Sequence, residues 1–457
     1  MKKLLIVIPW TRYYVGNRDC PFASSPERAP EGVVGLATYL ISKGADVRIA
    51  DTLYMLRLND GDTDATLTQL WETCADFKPD VIGFSFFTAR FECAAQIFDD
   101  LRLRYAHSDT SRQPMFIAGG VHPTLLPQVT LQYMPLDAVV VGEGELPLLE
   151  LLGGKHPREI KGIFMPGDVH VEKANVVECL DDLPVPDWSL IDIDHYTQPS
   201  YQISNTRLLR TMPVTFGRGC LYRCNFCAHN CFLRARHHSA NYFVAKMRQV
   251  AQQCGIDTFV VQDSSTGNFS DEWAEVCRQL IAMDSPFRWW ANLRANQANR
   301  RLLQLMKQAG CIKLFFGFES GSPRILKRMS KRITVEQCRQ AAELCHEVGI
   351  PFYTSYIINY FGEEESDLQL TEELIRQTQP TSLSVNTFSP IPGSADYESH
   401  TQMIKPYINT IHDWTRLGML AAPLRFGNMP EERFDYWRTR LRSLKQEINS
   451  HETAPEP

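Results

Sequence analysis

Short apolar runs alternate with stretches of helical periodicity along the chain, and they do so in two successive blocks. In the first block, residues 4–9, 47–50, 80–86, 115–118 and 138–141 read as strands. Between them, residues 32–43, 67–77 and 91–105 carry apolar side chains at helical spacing, as in Val33, Leu36, Ala37 and Leu40. Continuous apolar strands alternating with helices predict an α/β domain with a doubly wound parallel sheet, covered on both faces. Residues 85–88, 119–122 and 142–145 then fall at the carboxyl edge of that sheet, where ligands of this class bind. Ser85, Gly119, Gly120, His122, Gly142 and Glu143 are the candidate binding residues there, because glycine lets a flat ligand approach the backbone closely.

Periodicity fades over residues 156–205, where Leu183-Pro184-Val185-Pro186-Asp187-Trp188 reads as a proline-punctuated linker. The second block places strands at 212–216, 258–262, 288–292, 312–316, 351–358 and 382–388. Helices fall between them at 241–254, 271–283, 299–308, 335–348 and 364–378. Residues 413–444 read as one helix, and 451–457 as a frayed tail. The expected organisation is an α/β domain over 1–155, a linker over 156–205, a second α/β domain over 206–400 and a helical segment over 401–457.

Composition narrows the function classes. With 457 residues, the chain is long enough for two or three domains with substantial cores. A net charge of −6 gives no bulk attraction to nucleic acid. Apolar runs stay far short of the roughly 20 residues that span a bilayer. The run after Met1-Lys2-Lys3 is too short for a secretion signal and reads as a strand. Nine of the 13 cysteines (20, 74, 93, 179, 254, 277, 311, 338 and 345) are scattered through periodic segments. They read as reduced core residues of a cytoplasmic protein, not as a disulfide framework.

The remaining four cysteines carry the chemistry. Cys220, Cys224 and Cys227 stand at spacing C-x3-C-x2-C just after the first strand of the second block, and Cys231 follows with His229 between. Three thiolates from one short loop would hold three irons of a 4Fe-4S cubane and leave the fourth iron open to a substrate. Four cysteines on one loop would also make a closed zinc site or a fully ligated electron-transfer cluster. Zinc sites usually use two separated pairs, and a ferredoxin would show a second cluster; neither pattern is present. Cys231 as an ordinary buried thiol is a further reading.

The spacing, with Phe226 before the third cysteine, resembles the radical S-adenosylmethionine (SAM) superfamily. The resemblance implies a partial (β/α)6 barrel whose site lies at the carboxyl ends of its strands. It also implies a cluster on Cys220, Cys224 and Cys227 that cleaves SAM to a 5′-deoxyadenosyl radical. Gly317-Phe318-Glu319-Ser320-Gly321-Ser322 is similar to the element whose glutamate contacts the SAM ribose. Asp263 stands where many relatives place an acid for the SAM amino group, and Arg294 and Arg236 are candidates for its carboxylate. Helix capping for Asp263 and Glu319, and surface ion pairing for the two arginines, stay open as structural readings. Asn359, Tyr360 and Phe361 depart from the family's Gly-Leu-Pro. That leaves the adenine contacts open and points the aromatic pair toward a substrate pocket.

The first block resembles the cobalamin-binding domain of one radical SAM branch. That branch includes the anaerobic magnesium-protoporphyrin ester cyclases and the cobalamin-dependent methyltransferases. The matching pieces are Pro9-Trp10, residues 31–37, residues 80–85, Ala118-Gly119-Gly120-Val121-His122-Pro123 and Val141-Gly142-Glu143-Gly144-Glu145. No D-x-H-x-x-G element supplies a histidine to cobalt. An unactivated carbon of a small metabolite or natural-product intermediate is the expected target of methylation, with flavodoxin or ferredoxin as electron donor. Dehydration, cyclisation or rearrangement without methyl transfer stays open, as does a non-catalytic cluster- or cobalamin-binding protein.

Overall fold

The computed structural model describes residues 1–11, 28–108, 113–199, 209–228, 234–417 and 425–450. His229, Cys231 and the tail 451–457 lie outside them. The chain forms two units, one of residues 1–196 with 400–419, the other of 197–399 with 420–457.

In the first unit, β1 (Lys3–Ile8), β2 (Asp46–Asp51), β3 (Val81–Ser85), β4 (Met115–Gly119), β5 (Ala138–Val140) and β6 (Ile163–Phe164) form one sheet in the order β2-β1-β3-β4-β5-β6. All neighbours are parallel except β6, which runs antiparallel to β5. Strand alternation builds two cores from one strand. Leu5 and Val7 of β1 pack with Phe84, Phe98 and Leu101 on one face, whereas Leu4 and Ile6 pack with Leu40, Ile117 and Leu151 on the other. Each such side chain contributes about 1.5–3 kcal/mol by leaving water. Chain order reverses between β1 and β3, which makes a topological switch point at the carboxyl edge.

The stretch after β5 folds onto this unit as far as Tyr196. Ile160, Leu180 and Leu183 join the core of one face, and Trp188 is buried. Helix Ile411–Leu417 returns to the unit, with Trp414 against the other core and His412 Nδ1 3.1 Å from Glu92.

The second unit contains β7 (Met212–Val214), β8 (Gly217–Arg218), β9 (Arg236–His237), β10 (Thr258–Val261), β11 (Arg288–Leu293), β12 (Cys311–Glu319), β13 (Phe352–Ile358) and β14 (Ser382–Thr387). Six of these strands form one all-parallel sheet that follows chain order from β7 through β10 to β14. Helices Ala240–Cys254, Ser270–Ala282, Arg300–Gln308, Val335–Val348 and Glu365–Thr378 connect the strands. Strands β7 and β14 are the sheet's two edges, so this is a partial (β/α)6 barrel. Strands β8 and β9 form a separate antiparallel ribbon that frames the cysteine loop.

The single helix expected over 413–444 is two, Ile411–Leu417 and Glu431–Ser450, and they belong to different units. Residues 425–430 are extended and turning, with Pro430 just before the second helix, where its fixed φ and missing N–H are tolerated.

Candidate active site

The cysteine loop leaves the barrel at the carboxyl end of β7 and turns at Gly217 and Gly219. A Cβ at Gly219, whose φ is +82°, would sit 2.8 Å from the Arg234 carbonyl oxygen. A Cβ at Gly217 would sit 2.9 Å from that of Arg236. Only glycine lets β8 and β9 come this close. Cys224 is buried; Cys220 and Cys227 are half-buried, and none of the three is in a disulfide. Asn225 ties the loop down: its N–H donates to the Met329 carbonyl (2.9 Å), and its side-chain amide donates to that of Arg328 (2.9 Å).

Zinc would need its ligand atoms about 2.0–2.3 Å from one ion. Among the described residues, no three or more His, Cys, Asp or Glu side chains converge in that way. A cubane binds each thiolate to a different iron; Cys231, which the zinc reading needs, lies outside the described residues. Of the nine scattered cysteines, Cys20 lies outside the described residues and Cys179 is exposed, not in the core; burial pushes Cys74, Cys277, Cys338 and Cys345 up to about 12, so they stay protonated and inert.

Glu319 ends β12 in an unusual conformation. Its φ is +65°, and the pairing with β13 slips between Gly317 and Glu319. Such a bulge re-aims a side chain and costs about 1–3 kcal/mol, which clusters at functional sites. The carboxylate is buried. Lys331 Nζ donates to Oε1 at 2.8 Å, and the Ser355 hydroxyl lies 3.3 Å from Oε2. A Cβ at Gly317 would sit 2.2 Å from Glu319 Oε1, so Gly317 makes room for the carboxylate itself. Lys331 Nζ also lies 5.6 Å from the centre of the Phe226 ring.

Arg294 connects this pair to the cysteines. Its guanidinium is buried, donates to the Lys331 carbonyl, lies 3.7 Å from Cys224 Sγ and stacks on Tyr222 at 3.6 Å. Arg294 Nε is buried without a partner. An orphaned donor of this kind, beside a carboxylate with lone pairs to spare, fits a zwitterionic nucleoside such as SAM. Asp263 is buried at the end of β10, where Oδ1 accepts from the Phe216 N–H at 2.8 Å and ties β10 to the start of the loop. Arg236 sits in β9 opposite Arg218, its side chain buried.

The sequence reading did not reach Lys331, Tyr222, Asn268 or Gln297. Lys331 stands nine residues beyond the Gly317–Ser322 element. The other three are neutral side chains with no spacing signature.

Asn359, Tyr360 and Phe361 turn out to be packing residues. Asn359 has φ +65°, which suits the glycine of the family pattern and is tolerated by asparagine. Its Oδ1 accepts from the N–H groups of Phe426 (3.1 Å) and Gly427 (3.2 Å). Tyr360 is buried and donates to Asp396 at 2.5 Å; Phe361 packs against Phe388 and Phe426.

In the first unit, Ser85, Gly119 and Gly142 stand at the carboxyl edge, and Ser85 pairs with Gly119. Gly120 and Gly142 have φ of +91° and +94°. A Cβ at Gly142 would have no heavy atom within 4 Å, so its backbone is open to a flat group. Glu143 beside it is half-buried. The open backbone at Gly142 fits the close approach of a corrin, whereas a Cβ at Gly120 would meet the Phe86 backbone at 3.0 Å. His122, by contrast, is enclosed. Its ring lies 4.1 Å from that of Phe91, tilted by 36°, Nδ1 lies 3.1 Å from the Thr88 hydroxyl, and burial pushes the imidazole down to about 3.

The two units thus define a class: a switch-point α/β domain joined to an open six-stranded barrel with a three-cysteine loop. Comparison with known proteins gives the families. The radical SAM superfamily matches residues 214–375, and the B12 binding domain matches residues 29–152. An uncharacterized methyltransferase of Pyrococcus horikoshii is 25% identical over 87% of this chain and 82% of its own length. The anaerobic magnesium-protoporphyrin IX monomethyl ester cyclase of Rubrivivax gelatinosus is 27% identical over 80% of this chain and 65% of its own length. The solved structure of TsrM, a radical SAM methyltransferase of Kitasatospora setae, superposes with a TM-score of 0.71 at 16% identity, covering 98% of this chain and 89% of that one. The chain thus carries a radical SAM domain over residues 214–375 and a B12 binding domain over residues 29–152, and these two domains imply a 4Fe-4S cluster, SAM and cobalamin as its cofactors. Among the described residues, no helix is long and apolar enough to cross a membrane.

Proposed function

We propose that this enzyme methylates an unactivated carbon of a small metabolite or natural-product intermediate, with Cys220, Cys224 and Cys227 as the three cluster ligands. One observation carries the site: contacts run without a break from Cys224 through Arg294 and Lys331 to Glu319. When bound, the cofactors supply an electron for the sulfonium of SAM and a methyl group for transfer. The protein's part is placement. Glu319, oriented by Lys331 and Ser355, accepts hydrogen bonds from the ribose hydroxyls. Arg294 Nε donates to the SAM carboxylate. Asp263 holds the loop at the end of β10 and would accept from the ammonium, and Arg236 supports the ribbon beside it. In the first unit, Ser85, Gly119, Gly120, Gly142 and Glu143 line the corrin edge, while His122 supports that edge from within.

Methyl transfer is supported by the P. horikoshii relative, which matches over most of both chains. The R. gelatinosus relative supports a second reading, cyclisation without methyl transfer. A low-potential flavodoxin or ferredoxin is the fitting electron donor, in the reducing cytoplasm that free thiols also suit. SAM labelled in its methyl group discriminates the two. Label in the product supports methylation; an unlabelled, ring-closed product moves the assignment to a cyclase.

A further inference from the structure

Side-chain N–H groups are directed at the sulfurs of Cys220 and Cys224. Asn268, on the short helical turn Thr266–Phe269 after β10, places Nδ2 3.9 Å from Cys220 Sγ. Arg294, just after β11, places Nη1 3.7 Å from Cys224 Sγ. Both distances suit a hydrogen bond to sulfur.

One residue sets the orientation of the Asn268 amide and braces Arg294 through its backbone. Gln297 Oε1 accepts from the Ser265 hydroxyl at 2.6 Å and from the Arg294 backbone N–H at 3.2 Å. With its oxygen so committed, its NH2 group faces Asn268 Oδ1 (3.4 Å) and the Tyr222 hydroxyl (3.4 Å). Asn268 must then turn its own NH2 toward Cys220. Tyr222, held by Gln297 and by Asn296 Nδ2 (3.3 Å), offers its ring face to the Arg294 guanidinium. A Cβ at Gly267 would sit 2.5 Å from Gln297 Oε1, so the turn is shaped around this amide.

We propose that Asn268 and Arg294, braced by Gln297, are N–H···S donors to Cys220 and Cys224 that raise the potential at which the cluster takes up its electron. This rests on those cysteines being cluster ligands. No bond forms or breaks: one electron enters from a low-potential flavin or iron–sulfur donor, and the added negative charge on the sulfurs is stabilised by the two donors. Hydrogen bonds to ligand sulfurs are one of the levers that set such potentials. The geometry thereby gives tuning and positioning roles to three residues well outside the cysteine motif.

The test is a redox titration of the full-length, anaerobically reconstituted protein without SAM, followed by electron paramagnetic resonance. Iron and sulfide are counted in each sample. Asn268→Leu and Gln297→Leu remove a donor or its brace without changing charge. Each is expected to lower the reduced-to-oxidised ratio at fixed potential about tenfold, a shift of about 59 mV for one electron. Arg294→Lys, which keeps the charge but not the planar fork, is expected to shift the same way. Asn268→Asp keeps the size and replaces N–H by a carboxylate, so it should lower the ratio further, and it serves if the leucine variant fails to fold. Unchanged potentials at full cluster content would overturn the proposal. Failure of the underlying reading looks different: Cys220→Ala or Cys224→Ala would then retain the full complement of iron and sulfide.

Discussion

Glu319 and Lys331 are a buried pair at a strained backbone position, and each depends on the other. Lys331→Met leaves a buried carboxylate without its cation and is expected to cost about 3–5 kcal/mol of stability. Glu319→Gln with Lys331→Met together should cost less than the lysine change alone, in a double-mutant cycle followed by denaturation of the full chain. Glu319→Gln alone should weaken SAM binding about tenfold, read by equilibrium dialysis. His122 gives a pH prediction in the first unit. In the unfolded chain its ring takes up a proton below about 6.5, whereas in the folded chain it stays neutral down to about 3. The stability it contributes is therefore present above 6.5 and falls as pH drops toward 3, by up to about 1.4 kcal/mol per pH unit. Hydrogen exchange along helix Phe91–Ala106 should show that slope, and His122→Phe should flatten it. At this scale the cysteines and Glu319 were legible because their chemistry needs fixed spacings. Lys331, Asn268 and Gln297 were not, because what selects them is the fold around them and not a pattern along the chain. His122 was read as an edge residue since sequence shows its place after β4 but not the rings of Phe86 and Phe91 around it.

The strands of the two parallel sheets were legible almost to their ends, because apolar runs buried on both faces leave little room for another reading, whereas the two-residue strands β6, β8 and β9 were not. The main element missed was the break before helix Glu431–Ser450. Phe426 is apolar and in register with a helical pattern, yet it is drawn into the cluster of Phe361 and Phe388, and Asn359 holds the backbone there. Asn359→Gly would keep φ +65° at no steric cost but remove both side-chain hydrogen bonds. The expected result is a loss of about 1–2 kcal/mol and faster exchange at the Phe426 and Gly427 amides, with β13 still protected. Equal exchange in both proteins would mean that aromatic packing alone fixes this turn. The bulge in β12 was invisible in sequence too, since nothing in Gly317-Phe318-Glu319 announces a positive φ at a glutamate.

For the whole molecule, the two α/β blocks were legible as blocks, but which unit owns each connecting segment was not. Residues 157–196 and 400–419 fold with the first unit, because their apolar side chains complete its two cores. Division of labour follows: one unit presents bare glycine backbone, the other a sulfur loop with a carboxylate–ammonium pair. The central claim is that the loop leaves one iron open for SAM. Its most direct test is the electron paramagnetic resonance spectrum of the reduced, reconstituted enzyme with and without SAM. A changed spectrum on adding SAM, lost together with the iron in Cys220→Ala, is the expected result. A 4Fe-4S signal indifferent to SAM, or a protein that holds zinc instead of iron, would contradict the account.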